Sequence, residues 1–544
     1  MAAYAQNTLQ TMLLAPSRWA SELLTRGTAV LLWPLLAFLC WRLWRFTIVP
    51  YLHPSEPKEL PYWIPYLGHI SSFFKDYNKA LDNARHYFHY SREPYSVWIA
   101  GARIYICPSP DDVAGLYRNT TTISYHNIIK DMYRWIGISQ DGFDKMFTLD
   151  ESAKHNIDLS QPQAPAIMVN EYHRRQTKPG ALFDDLLHKR LITKVNESVK
   201  AVSNCSSPVI VQNSADGVTV SLLRLCTELF LRGTATSFLG EKIWEVNPNL
   251  LDSFMVWERT NWKYMFQMPD IISRDMLRAR DDIVNTFVKY LNIPADERSD
   301  SNNFVKSIEA MMLDVDCSEE DMARVFMLHF WAVLGNIYKV AFWTLSYLAF
   351  DPSLSEAILA EVEPAVQDGH LDESYLSEKC PQLESLVSEV LRLTVATALV
   401  RDITGPTEIG GKTLQPGNKV LISYRQLHTD RSTWGMNPLS IGPNRFVDNP
   451  KLYSSKSYRP FGGGHTLCPG RFLAKRALGY AVAKVLTTFD VKMNVEMTRK
   501  AVGGKRKGGI ESLNFPILDA SKPSPGASLP LKGQDVFLVL KEKR

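Results

Sequence analysis

The sequence predicts a mainly α-helical fold with small peripheral β-sheets. Three observations carry that expectation. Apolar residues recur at three- and four-residue spacing through most of residues 70 to 400, the signature of amphipathic helices. One stretch, 318 to 352, is apolar nearly all round and long enough for a helix of about 30 residues, where a length near 11 is usual, so it should run through the middle of the molecule. After residue 400 the pattern becomes an alternation punctuated by Gly-Pro, Gly-Gly and Pro-Gly, which reads as short antiparallel strands.

Taken in order, the chain opens with a segment (1–27) that leads into "GTAVLLWPLLAFLCWRLWRFTIV" (27–49), free of charge up to Arg42. Residues 28–49 are long enough to span a bilayer. Trp41 and Trp44 suit an interface belt, and Arg42 and Arg45 can snorkel or mark a cytoplasmic flank. The expectation is a single membrane anchor with residues 1–27 on the lumenal side. A Pro-rich stretch (50–69), with Pro54, Pro57, Pro61 and Pro65, resists helix formation and reads as a semi-rigid spacer before a catalytic body at 70–544. Within that body "SVWIAG" and "RIYICPSP" (96–110) read as a hairpin, and 182–202 and 219–240 as helices. Ser318 with Asp321 reads as a capping box opening the long helix, and Asp351-Pro352 closes it. Residues 399–424 read as a small antiparallel sheet, and the chain ends in a further strand.

The net charge of +4 over 544 residues, without a basic cluster interleaved with aromatics, argues against nucleic acid as a partner. "GGKRKGG" (503–509) reads as a solvated loop. The seven cysteines are scattered, with no CxxC and no Cys/His cluster, which is neither a disulfide framework nor a zinc site. No G-x-G-x-x-G follows a strand, so no dinucleotide site is expected in this chain.

Cys468 is the exception among the cysteines. It sits in "FGGGHTLCPGR" (461–471), with glycines that let backbone N–H groups approach, Pro469 suited to a helix start, and a helix whose positive end faces the sulfur. A thiolate so placed serves as a nucleophile or as a metal ligand.

The string Phe461, Gly464, Cys468, Gly470 is F-x-x-G-x-x-x-C-x-G, and it resembles the haem-binding signature of the cytochrome P450 superfamily. Further marks appear in the same order as in that family. "EVLR" supplies Glu389 and Arg392 of an E-x-x-R helix, and "PNRF" (443–446) supplies Arg445. The resemblance covers residues 55 to 544 and implies the cytochrome P450 fold, haem b as cofactor and Cys468 as the axial iron ligand. It also implies an ion-pair trio of Glu389, Arg392 and Arg445. Arg401 lies where family members place an arginine that holds a haem propionate. Thr466 stands where a basic propionate partner is usual, and the neighbouring His465 is the candidate substitute; "YHRRQ" (172–176) is a further source of cations.

On the oxygen side the family usually carries an acid–alcohol pair. Here "WAVLGNIYKVAFW" has Gly335 and Asn336 at that place. With Phe342-Trp343, Thr466 and "CPGR", this is similar to the branch of sterol 7α-hydroxylases, sterol 12α-hydroxylase and prostacyclin synthase. Lys339 replaces the proline usual there, which predicts a straighter helix. Gly335 would let a ligand approach the backbone, and Asn336 can hydrogen-bond near bound oxygen. The resemblance thus implies a membrane-bound monooxygenase of the endoplasmic reticulum, catalytic domain cytosolic. It would oxidise a lipophilic sterol, terpenoid or other secondary metabolite with O2 and electrons from NADPH through a separate reductase. Two alternatives stay open: a haem-thiolate isomerase or dehydratase of a peroxide, needing neither O2 nor NADPH, and a non-catalytic haem sensor or carrier.

Overall fold

The structure, a computed structural model, describes residues 32–156 and 159–543. Segment 1–27 and residues 28–31 of the expected anchor lie outside the described residues. The first element is the helix α1 (Leu32–Leu52), exposed along its apolar length. Leu32, Trp33, Leu35, Leu36 and Leu39 are all more than half exposed. Its C-terminal half does not stand free. Arg45 forks onto Glu59 at 3.1 and 2.9 Å, and the Arg42 guanidinium lies 4.5 Å from the Trp63 ring.

The Pro-rich segment, expected as a spacer, is held against the body. Its short strand β1 (Lys58–Glu59) runs parallel to β2 (Tyr95–Ile99), and Tyr62 is buried. β2 and β3 (Ala102–Ile106) form the hairpin read from the sequence. Ala100 and Gly101 both take positive φ at its turn, the geometry that matches strand twist. There follow α2 (Pro110–Arg118), β4 (Ile123–Ser124), α3 (His126–Ile136), α4 (Gln140–Phe147) and α5 (Pro165–Thr177).

The stretch 219–240 departs from the expected helix at its start. Residues 219–221 belong to β6 (Gly217–Ser221), paired with β5 (Ile210–Ser214). The helix begins only after Ser221, whose Oγ accepts the Arg224 N–H at 3.1 Å. The branched residues of "GVTVS" pack on a sheet before the hydroxyl caps the next turn. Two long helices, α6 (Leu250–Met265) and α7 (Asp270–Leu291), pack on each other over the central element.

That central element is two helices, not one. α8 (Glu319–Leu334) and α9 (Ile337–Phe350) are separated by a bend at Gly335 and Asn336. The expected straightening is therefore absent. Asn336 leaves the helical region (φ −131°) and its Oδ1 takes the Ala527 N–H at 2.9 Å. The bend persists because a side chain satisfies a backbone donor from another segment. The N-terminal cap is half as expected: Ser318 Oγ accepts the Asp321 N–H at 3.2 Å, but the Asp321 carboxylate also takes the N–H and hydroxyl of Ser139, the residue that caps α4. α9 ends at Asp351-Pro352, as read.

α10 (Pro381–Thr394) carries the E-x-x-R pair. The segment after it supplies β7 (Ala398–Ile403) and β8 (Lys419–Ser423), which pair antiparallel. β8 also runs parallel to β3, giving a six-stranded sheet of order β1-β2-β3-β8-β7-β4. α11 (Arg471–Thr488) follows the Cys468 loop. β9 (Phe489–Met493) and β10 (Phe537–Glu542) complete a second sheet, β9-β10-β6-β5, so the chain ends in the expected strand. Helices α8, α9 and α11 supply much of the core, and residues of both sheets, such as Val420 and Leu538, pack into it.

Candidate functional site

The Cys468 loop is shaped by its glycines. Gly464 has φ +58°, and a Cβ there would lie 2.9 Å from the Tyr117 carbonyl oxygen. The turn brings the Cys468 N–H to the Phe461 carbonyl at 2.9 Å. α11 begins three residues later, at Arg471. Burial pushes the Cys468 thiol up, while the Gly470 N–H and the Arg471 charge favour the anion. The cysteine, with Phe461 and Gly470, lines a partly open cavity of about 1740 Å3. Pockets of 300–1,000 Å3 hold a drug-sized ligand, so this one has room for a large cofactor and a second molecule.

One wall of the cavity is a stripe of α8 and α9: His329, Ala332, Val333, Asn336, Ile337 and Val340. The spacing is that of a single helix face. Asn336 is therefore at the cavity as expected, with its Oδ1 on Ala527. Gly335 is not at the cavity, which corrects the expectation that a ligand approaches its backbone. It is buried on the opposite face, where a Cβ would lie 3.5 Å from Glu258 Oε1.

That opposite face holds a charged cluster unforeseen from the sequence. Lys339 is ion-paired to Glu258 of α6, and both side chains are buried. The carboxylate also accepts from Trp331 Nε1 at 2.9 Å, Asn261 Nδ2 at 3.2 Å and the Tyr338 hydroxyl at 3.3 Å. Lysine in an otherwise apolar helix was the available signal, since a buried ammonium needs a carboxylate. Its partner lies 81 residues away, where only tertiary packing identifies it.

Arg401 on β7 is 3% exposed and has no carboxylate partner among the described residues. Nη2 donates to Thr466 Oγ1 at 2.8 Å, and the guanidinium lies 4.2 Å from the Tyr125 ring. Burial lowers its pKa, with no opposing carboxylate to restore it. A buried cation of this kind calls for an anion. Arg401 and Thr466, read separately from the sequence, are thus hydrogen-bonded to each other. His465 is exposed on the single turn Gly464–Thr466, at the cavity rim. In "YHRRQ", Arg174 and Arg175 both bond to Glu171 and are about half exposed.

Glu389, Arg392 and Arg445 come together away from the cavity. Arg392 forks onto Glu389 at 2.7 and 2.6 Å, and Arg445 Nε reaches Glu389 Oε1 at 2.9 Å. Glu389 and Arg392 are fully buried. Arg392 also donates to the carbonyls of His428 and Pro438, so the trio joins α10 to the loops before the Cys468 turn.

Comparison with known proteins bears on this arrangement. The family profile described as Cytochrome P450 matches residues 235–508. Over 470 residues the chain is 26% identical to the cytochrome P450 monooxygenase poxD of Penicillium oxalicum, covering 82% of this chain and 89% of that one. It is 22% identical to the cytochrome P450 monooxygenase nodJ of Hypoxylon pulicicidum, over 81% of this chain and 84% of that protein. It is also 22% identical to the ferruginol synthase of Salvia miltiorrhiza, over 57% of this chain and 66% of that protein.

Proposed function

The chain belongs to the cytochrome P450 family, and on that premise we propose that it is a membrane-anchored haem-thiolate monooxygenase acting on a polycyclic lipophilic molecule. The observation that carries the reading is one cavity lined by Cys468 and Thr466, with the Thr466 hydroxyl held from behind by Arg401, a buried arginine that lacks a carboxylate partner among the described residues. These residues fit haem: Cys468 would ligate the iron, and Arg401 with Thr466 would hold a propionate. His465 at the rim is the second propionate candidate. Haem-thiolate iron supplies activation of O2 and oxygenation of a C–H bond, with the sulfur favouring O–O cleavage.

The chain's own residues do the rest. Gly470 N–H and Arg471 favour the sulfur as an anion. The apolar stripe of α8 and α9 excludes water and orients the substrate. Asn336 has its Oδ1 tied to Ala527, which leaves the Nδ2 protons to donate at the cavity wall. Electrons would come from NADPH through a separate reductase. α1 is long and apolar enough to serve as a bilayer anchor, and the proposal places it in the endoplasmic reticulum with the body on the cytosolic side. A relative named ferruginol synthase supports a terpenoid or similar secondary metabolite as substrate class; a sterol fits the same cavity.

A second reading has one observation in its favour. The cavity face of α8 and α9 presents no carboxylate and no alcohol, and Tyr338 and Lys339 point to Glu258. Isomerisation or dehydration of a peroxide would need no such proton relay. Product formation with purified protein, with and without reductase and NADPH, separates the two. Turnover of a peroxide with neither present would replace the monooxygenase reading. The ligand is tested by the carbon-monoxide difference spectrum of the reduced protein. The red-shifted Soret band of a thiolate-bound haem is expected, and Cys468→Ala should abolish it. Retention of the band in that variant would mean another ligand.

A further inference from the structure

Two half-buried histidines in the cavity wall are left unused by the oxygen chemistry. His329 on α8 and His173 on α5 both line the cavity, with ring centroids 5.5 Å apart. They sit in an apolar setting, with Phe304 at 4.0 Å from the His173 ring. The Tyr133 hydroxyl of α3 lies 3.4 Å from His329 Nε2. Neither Nδ1 of His329 nor Nε2 of His173 has a hydrogen-bond partner among the described residues, and the latter is sealed from solvent. The His329 Nδ1 has no partner among the described residues and its ring lines the cavity, so its hydrogen bond is open to a group that arrives with a ligand.

We infer that His329, its tautomer fixed by Tyr133 and with His173 beside it, anchors an oxygen atom of the substrate, so that the substrate is an already oxygenated lipophilic scaffold. Burial pushes the Tyr133 phenol up, so it keeps a proton that it can donate to His329 Nε2. Burial holds His329 down at about 4, so it is neutral at pH 7. A neutral imidazole that accepts at Nε2 carries its proton on Nδ1. That N–H is a donor suited to a carbonyl or hydroxyl oxygen. His329 lies seven residues, or roughly 10 Å, before Asn336 along one wall. A fused-ring scaffold held at its oxygen thus lays its far end against Asn336. The reaction that supplies this substrate must be one that leaves a hydroxyl or carbonyl on the ring system.

The inference rests on the reading of this cavity as the substrate chamber, and binding tests it without requiring turnover. Adamantane and 2-adamantanone are nearly isosteric and differ by one acceptor oxygen. Equilibrium dialysis against the full-length holoenzyme gives the affinity of each. His329→Phe should weaken the ketone by about tenfold relative to the hydrocarbon, the loss of one buried hydrogen bond. His329→Gln, which keeps a donor, should restore most of the difference. An unchanged ketone-to-hydrocarbon ratio in His329→Phe would overturn the anchor, as would equal losses for both probes. The carbon-monoxide spectrum reports the iron ligand separately. A missing thiolate band with the ketone effect intact would remove the haem-thiolate reading and leave the anchor standing.

Discussion

Replacing Arg401 by glutamine takes away a buried cation while keeping a hydrogen-bonding side chain of similar reach. If the charge serves a propionate, the variant should fold but lose haem about tenfold faster, measured by haem transfer to excess apomyoglobin; an unchanged rate would assign Arg401 a purely structural part. Glu389→Gln acts elsewhere. It leaves Arg392 buried beside a neutral amide, and breaking a buried pair costs about 3–5 kcal/mol. Urea unfolding should show that loss. Both positions were picked out in the sequence, Glu389 by its three-residue spacing to Arg392 on one helix and Arg401 by its place just after that helix in the family it resembles. Glu258 was not. Nothing in "FMVWERTNWKY" separates a carboxylate buried under a lysine from one facing water, because the difference lies in how α6 crosses α8 and α9. The histidines stayed hidden for the same reason: His173 and His329 are 156 residues apart and meet only across the cavity.

Among the elements, the bend between α8 and α9 has two supports, the Asn336 bond to Ala527 and the Glu258 cluster behind it. Lys339→Met removes the ammonium and leaves Glu258 buried and uncompensated. The expected loss is about 3–5 kcal/mol in urea unfolding. Glu258→Gln combined with Lys339→Met should recover most of it, because the remaining amide can still accept from Trp331. A double variant no better than the single would show that the pair is not coupled. Sequence periodicity could not reveal the bend, since one glycine in a run of helix formers is tolerated and the decisive partner, the Ala527 N–H, comes from a loop 191 residues further on. The strands were more legible: Gly101 takes the positive φ that the turn between β2 and β3 requires, and Gly410 and Gly411 do the same between the antiparallel strands Thr407–Ile409 and Lys412–Leu414. The end of β6, residues 219–221, was read as helix because "TVSLLRL" suits a strand and a helix equally.

For the whole molecule, histidines shielded from water couple folding to pH. Burial lowers His173, holds His329 at about 4 and His428 at about 3, all below the ordinary 6.5. Through that window the unfolded chain binds more protons than the folded one, so stability rises with pH. The histidine contribution is complete above pH 6.5 and is lost as pH falls towards 4 and below. Urea midpoints taken at pH 7, 6 and 5 should fall steadily. His329→Gln should flatten the slope by up to one proton, about 1.4 kcal/mol per pH unit. An identical slope in the variant would mean that His329 is already protonated in the folded state.

The fork of Arg45 onto Glu59 reaches further than one ion pair. Glu59 lies on β1, and Arg103 of β3 approaches the same carboxylate at 3.5 Å. α1 is thereby bolted to the edge of the six-stranded sheet, so as the proposed anchor it would act as a stalk and not as a tether. In a bilayer such a stalk would transmit the tilt of the helix directly to the globular part, fixing which side of the protein skims the lipid. Fluorescence anisotropy of a label on the body should then decay to a high plateau in nanodiscs. Glu59→Ala, by loosening the bolt, should lower that plateau while leaving the soluble fold intact.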